Sequence, residues 1–183
     1  NNSFEPNYNN TMKRNEIKSA HENSVLESFK KHCATSNHIV EIISKPEPPD
    51  AIITINGNKT WIEITDAFFS SELAESITTH AANNKTHKPV PIKKRFAIEP
   101  DEQFSNALQD AIIKKYNKIS IGKIYQQYGS GILLVGVINP FSSIQELIAT
   151  EKEKILAEIK SKESRFNAIY LYCVSDHVFY KLL

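Results

Sequence analysis

Asp50 and Glu63 stand thirteen positions apart in PPDAIITINGNKTWIEIT, residues 48–65, with apolar runs between them and an Asn-Gly pair midway. Two carboxylates in such a setting can bind a divalent cation, share a proton, or take up a cationic side chain. At frayed strand ends they would simply be solvated. Ile52, Ile53, Ile62 and Ile64 beside them argue instead for a hairpin in the middle of a sheet. A two-residue turn at Asn56-Gly57 pairs Ile55 with Asn58, Ile53 with Thr60, and Asp50 with Glu63. Directly opposed residues have Cβ atoms about 4.5–5.5 Å apart, and like charges so placed destabilise a sheet. A turn at Gly57-Asn58 would set Asp50 opposite Thr65 and leave Glu63 its diagonal neighbour. Both registers keep the acids on one face.

The elements that must hold these acids are legible from periodicity. Val25, Leu26, Phe29 and Cys33 recur at helical spacing and predict a helix over about 13–34. HIVEIIS, 38–44, reads as a strand ended by the prolines of KPEPPD. After the hairpin, 67–83 reads as a helix and the following basic stretch as a loop. A helix over 101–119 carries Leu108, Ala111, Ile112 and Ile119 on its inward side. GILLVGVIN, 131–139, is a continuous apolar run, as in a strand buried on both faces. Ser143 with Glu146 three places on predicts a capped helix start, and 167–175 and 177–183 read as final strands. The order predicts an α/β fold, a mixed central β-sheet flanked by helices, formed by a single domain over 13–183 behind a flexible Asn-rich tail, 1–12.

Composition bounds the partners. The 183 residues are 40% hydrophobic and 23% charged, with a net charge of +1. No global basicity marks nucleic-acid binding, so that would need a local patch. KTHKPVPIKKR, 85–95, offers one in Lys85, Lys88, Lys93, Lys94 and Arg95, able to contact phosphates without regard to base sequence. The alternative for it is a solvated surface loop. Cys33 and Cys173 match no metal or redox spacing and read as buried thiols in a reducing compartment. No apolar run approaches the ~20 residues of a membrane span, and no signal-peptide core is present, so a soluble cytoplasmic protein is expected.

PPD, the thirteen-residue step and IEIT resemble the core of the PD-(D/E)XK nuclease superfamily, the restriction-endonuclease-like fold. A leading helix before three strands is similar too, and the resemblance spans about residues 15–140. It implies metal-dependent hydrolysis of a phosphodiester, of DNA before RNA. Asp50 and Glu63 would be its catalytic acids and would hold Mg²⁺ or Mn²⁺, with the Ile64 carbonyl as a further ligand. A first-helix glutamate is implied as well. Glu22 suits it, preceding Val25, Leu26 and Phe29 by three, four and seven places.

The chain departs from that pattern at Thr65, where the family has a lysine two residues after the second acid. A threonine supplies no positive charge, although it could orient a water. The resemblance then implies a lysine that has migrated to a neighbouring helix, where Lys114, Lys115 and Lys118 are at hand. Lys115 follows Leu108, Ala111 and Ile112 at i+7, i+4 and i+3 and so shares their inward face. There it would position the nucleophile or offset charge in the transition state. A competing expectation is a noncatalytic nuclease-fold protein that binds nucleic acid or a protein partner. Another is a small partner-binding or homodimeric factor in which the acids need not meet.

Overall fold

The computed structural model describes residues 13–67, 100–137, 144–174 and 177–183, with only the backbone described for Arg14 and 100–104. The Asn-rich tail, nearly all of the helix expected at 67–83, Ser143, and Lys85, Lys88, Lys93, Lys94 and Arg95 lie outside these residues. In chain order the described elements are α1 (Arg14–Thr35), β1 (Val40–Ser44), β2 (Ala51–Ile55), β3 (Asn58–Ala67), α2 (Pro100–Asn117), α3 (Ile119–Tyr128), β4 (Gly131–Val137), α4 (Ile144–Ile159), β5 (Phe166–Cys173) and β6 (Phe179–Lys181).

The strands form one six-stranded sheet in the order β1-β2-β3-β4-β5-β6. β1, β2 and β3 run antiparallel, β3, β4 and β5 parallel, and β6 antiparallel to β5. Such a mixed sheet needs cover on both faces. On one face Val25, Leu26 and Phe29 of α1 pack against Ile53, Ile62, Ile64 and Leu134. On the other, Leu108 and Ile112 of α2, Ile121 of α3 and Ile155 of α4 enclose Trp61, Leu133, Val135 and Leu171. Burying each large apolar side chain contributes about 1.5–3 kcal/mol. β4 lies between the two layers, and all seven of its residues are buried.

The hairpin adopts the first of the two registers. Ile55 pairs with Asn58, Ile53 with Thr60 and Ala51 with Ile62. Asn56 and Gly57 have φ of 51° and 82°, as the favoured two-residue turn requires. Asn56 also exchanges two 2.8 Å hydrogen bonds with Ile39, tying the turn to the start of β1. α1 starts where Glu16 accepts the Lys13 N–H at 2.6 Å. It ends at Ser36, before Asn37 in the left-handed region at φ 60°.

Two expectations are corrected. The helix expected to run through 119 stops at Asn117, because Lys118 is extended (φ −69°, ψ 123°) and begins α3. Ile119 is therefore 78% exposed instead of sharing the inward stripe. α3, unanticipated, buries Ile121 and Ile124 at helical spacing. The two cysteines are free but only partly buried. Trp61 is fully buried, and its indole Nε1 donates to the Gly129 carbonyl at 2.9 Å. A Cβ at Gly131 would lie 2.3 Å from that indole, so the close approach of β4 needs glycine there. Among the described residues no helix is long and apolar enough to cross a membrane.

Candidate active site

Asp50 lies just before β2, one residue beyond the last ladder pair, Ala51 with Ile62. Its Oδ2 accepts the Ile64 N–H at 2.6 Å. The carboxylate thus satisfies a β3 donor that a longer β2 would have paired by backbone. It is only 9% exposed. Burial pushes its pKa up to about 6, the neighbouring Glu63 charge adds to the rise, and the Ile64 N–H opposes it.

Two further acids close on Asp50. Glu22, from α1, and Glu47, from the proline-rich segment after β1, each place a carboxylate oxygen within 4.8 Å of the others and of Asp50. Lys18, one turn before Glu22, bridges this pair, 3.2 Å from Glu22 Oε1 and 2.7 Å from Glu47 Oε1. Burial raises the Glu22 pKa against the pull of Lys18. The hydrogen bond from Lys18 lowers that of the exposed Glu47.

Glu63 takes a different arrangement. It is 1% exposed, and its Oε1 accepts from Lys115 Nζ at 2.6 Å and from Lys118 Nζ at 3.3 Å. Its Oε2 is buried and makes no hydrogen bond among the described residues. Lys115 also donates to the Ile64 carbonyl at 3.2 Å. That oxygen, expected as a cation ligand, is here engaged by an ammonium. Thr65 lines a cleft of about 1000 Å³ with Asp110, Ile113, Lys114, Lys115, Asn117 and Lys118.

Sequence and structure differ here in an instructive way. The hairpin register brings Asp50 and Glu63 within electrostatic range but not onto the one face expected: Asp50, past the last ladder pair, turns to Glu22 of α1, while Glu63 turns to α2. The inward stripe of α2 delivers Lys115 to Glu63, and Lys114 is exposed. The carboxylates that gather within 4.8 Å are nevertheless Glu22, Glu47 and Asp50, and Glu63 is not among them. Glu47 escaped notice because KPEPPD reads as a strand breaker, and no periodicity tells where a loop carboxylate points. Lys18 carried a signal, its i,i+4 spacing to Glu22. Lys118 reaches the same carboxylate from the extended residue between α2 and α3.

A second polar group lies on the α1 side of the sheet. His21 Nε2 is 3.4 Å from Asp66 Oδ2, and the Tyr172 hydroxyl donates to Asp66 Oδ1 at 3.2 Å. The Asp66 carboxylate raises the His21 pKa, through a hydrogen bond first and through its charge as well. A Cβ at Gly136 would fall 2.2 Å from Asp66 Oδ1, so glycine on β4 makes the room this carboxylate occupies.

The oxygen donors of Glu22, Glu47 and Asp50 lie close enough together to hold a metal ion. Lys18 Nζ at their edge places one positive charge against Glu22 and Glu47, while burial first and the Glu63 charge second hold the Asp50 pKa up. Compared with known proteins, the chain matches no family model, no curated protein and no solved structure.

Proposed function

We propose that this protein is a metal-dependent nuclease of the PD-(D/E)XK kind, hydrolysing a phosphodiester of DNA or, with less support, RNA. The observation that carries the reading is the Lys115 ammonium 2.6 Å from Glu63, on a helix, where β3 supplies only Thr65. Asp50, Glu22 and Glu47 would hold Mg²⁺ or Mn²⁺, which when bound would polarise a phosphoryl oxygen and make a water more acidic. Lys115 would hold Glu63 in place and set a positive charge where the phosphoryl oxygens gain negative charge. Thr65, lining the cleft beside it, offers a hydroxyl to orient a water.

A second reading is favoured by a specific feature. Lysines already accompany the acids on both sides, Lys18 at Glu22 and Glu47, Lys115 and Lys118 at Glu63. A noncatalytic protein of this fold, binding nucleic acid or a protein partner, would be stable with its acids so neutralised. The test is incubation of plasmid and single-stranded substrates with Mg²⁺ or Mn²⁺, wild type beside Asp50→Asn and Glu63→Ala. Cleavage by wild type alone supports the nuclease. No cleavage with either ion favours the noncatalytic protein.

A further inference from the structure

The cleft beside Glu63 has a composition that the hairpin acids do not explain. Its described lining carries three ammonium groups, Lys114, Lys115 and Lys118, against the single carboxylate of Asp110. Glu63 lies beneath, 1% exposed, and offsets one more. One positive charge is left over, and the residues differ in how free they are to use it. Lys115 is 16% exposed and doubly engaged, by Glu63 and by the Ile64 carbonyl. Lys118 is 47% exposed and holds the same Glu63 oxygen at the longer distance of 3.3 Å. Glu63 keeps a partner if Lys118 leaves it.

Lys118 stands at the junction of two helices. Its extended backbone ends α2, and from this junction its ammonium reaches Glu63 at 3.3 Å. Asn117 adds a polar wall. Its Oδ1 accepts from Lys162 at 3.1 Å, which makes its NH₂ the end available to donate.

We infer that this cleft seats a backbone phosphate of the nucleic-acid substrate, with Lys118 as the residue that leaves Glu63 to hold it. The inference rests on the nuclease reading for its choice of substrate and adds the residue that positions it. A phosphodiester brings one negative charge, which matches the surplus. The ammonium is a point charge that reads no base, so the contact orients the strand without selecting its sequence. Lys115, held by two acceptors, stays at the acids while Lys118 moves.

The experiment measures binding of a fluorescein-labelled oligodeoxynucleotide by anisotropy in EDTA, single-stranded and duplex, across a salt series. Without a divalent ion, binding is read apart from cleavage. Lys118→Gln is expected to weaken binding about 3- to 10-fold and to lower the slope of log affinity against log salt by about 1. Lys118→Arg is expected to restore most of the affinity. Lys123→Gln removes the same charge from an exposed position of α3 and is expected to stay within about twofold of wild type. Equal losses for Lys118→Gln and Lys123→Gln, or no salt-dependent binding by wild type, overturn the inference. The expected pattern without any cleavage in Mg²⁺ or Mn²⁺ would uphold it and remove the nuclease reading alone.

Discussion

Asp50 and Glu63 occupy neighbouring positions of one hairpin, yet their surroundings answer negative charge in opposite ways. On the α1 side three carboxylates gather, two of them paired with the exposed Lys18, and the Asp50 pKa rises to about 6. On the α2 side one buried carboxylate has two lysines. The first arrangement lacks positive charge and the second has more than Glu63 needs. The difference teaches that adjacency in a strand ladder does not fix a carboxylate's role. The helix packed above it does, and the two acids face different helices.

The largest expected effect probes the α2 side. Lys115→Met leaves Glu63 buried with only the longer bond to Lys118, and removing one partner of a buried pair costs about 3–5 kcal/mol. Urea denaturation checks this. A loss under 1 kcal/mol would show that Lys118 alone suffices, and the contrast between the two sides would be smaller than drawn.

Next comes Asp50→Asn, which removes the buried charge on the α1 side while keeping an acceptor for the Ile64 N–H. Asp50 binds its proton more tightly folded than unfolded, so its ionised form works against the fold. The penalty is absent below about pH 4, grows as pH rises through about 6, and is then complete at about 3 kcal/mol. The variant should therefore equal wild type in stability near pH 4 and exceed it near pH 7. A stability difference that does not change with pH would mean that Asp50 is not held at a raised pKa.

A smaller effect is expected from the cation itself. Mg²⁺ or Mn²⁺ at about ten times its dissociation constant stabilises by about 1.4 kcal/mol, which for a chain of this size raises Tm by about 3–6 °C. The shift should vanish in Asp50→Asn. An undiminished shift in that variant would place the cation elsewhere.

The smallest belongs to Lys18→Met. Lys18 is 57% exposed, and exposed pairs contribute about 0–1 kcal/mol. Its loss should barely change stability but should tighten divalent binding, because a competing positive charge has gone. A stability loss matching that of Lys115→Met would erase the distinction between the two sides.

What the sequence revealed follows from the range of each interaction. Asn56 and Gly57 fix a register locally, so the pairing of β2 with β3 was legible, as was the inward face of α2 that carries Lys115. That Asp50 and Glu63 turn to different helices was not, because Asp50 falls past the last ladder pair and its direction is set by α1. The mixed sheet with helices on both faces followed from the order of apolar runs. The end of α2 was not legible, because apolar spacing continues through Ile119 and nothing in YNKIS marks the break at Lys118. Glu47 stayed hidden since its position depends on how a proline-rich segment folds back on α1, a nonlocal outcome with no periodic signature.

The turn at Asn56-Gly57 also bears on the order in which the molecule comes together. It brings Asp50 within electrostatic range of Glu63 by closing thirteen residues, whereas Lys115 must find Glu63 across 52. The longer closure costs about 1.2 kcal/mol more in chain entropy, and it must await the long excursion that makes β3 and β4 parallel. The hairpin is therefore expected in the folding transition state, with the lysine arriving afterwards. Gly57→Ala, strained at φ 82°, should slow folding, while Lys115→Met should chiefly speed unfolding, and stopped-flow kinetics on the two variants would reveal the reverse order if it holds. On this route the acids pass through a stage at which they lie within range of each other without a lysine, when a proton or a dissolved cation is the only relief at hand.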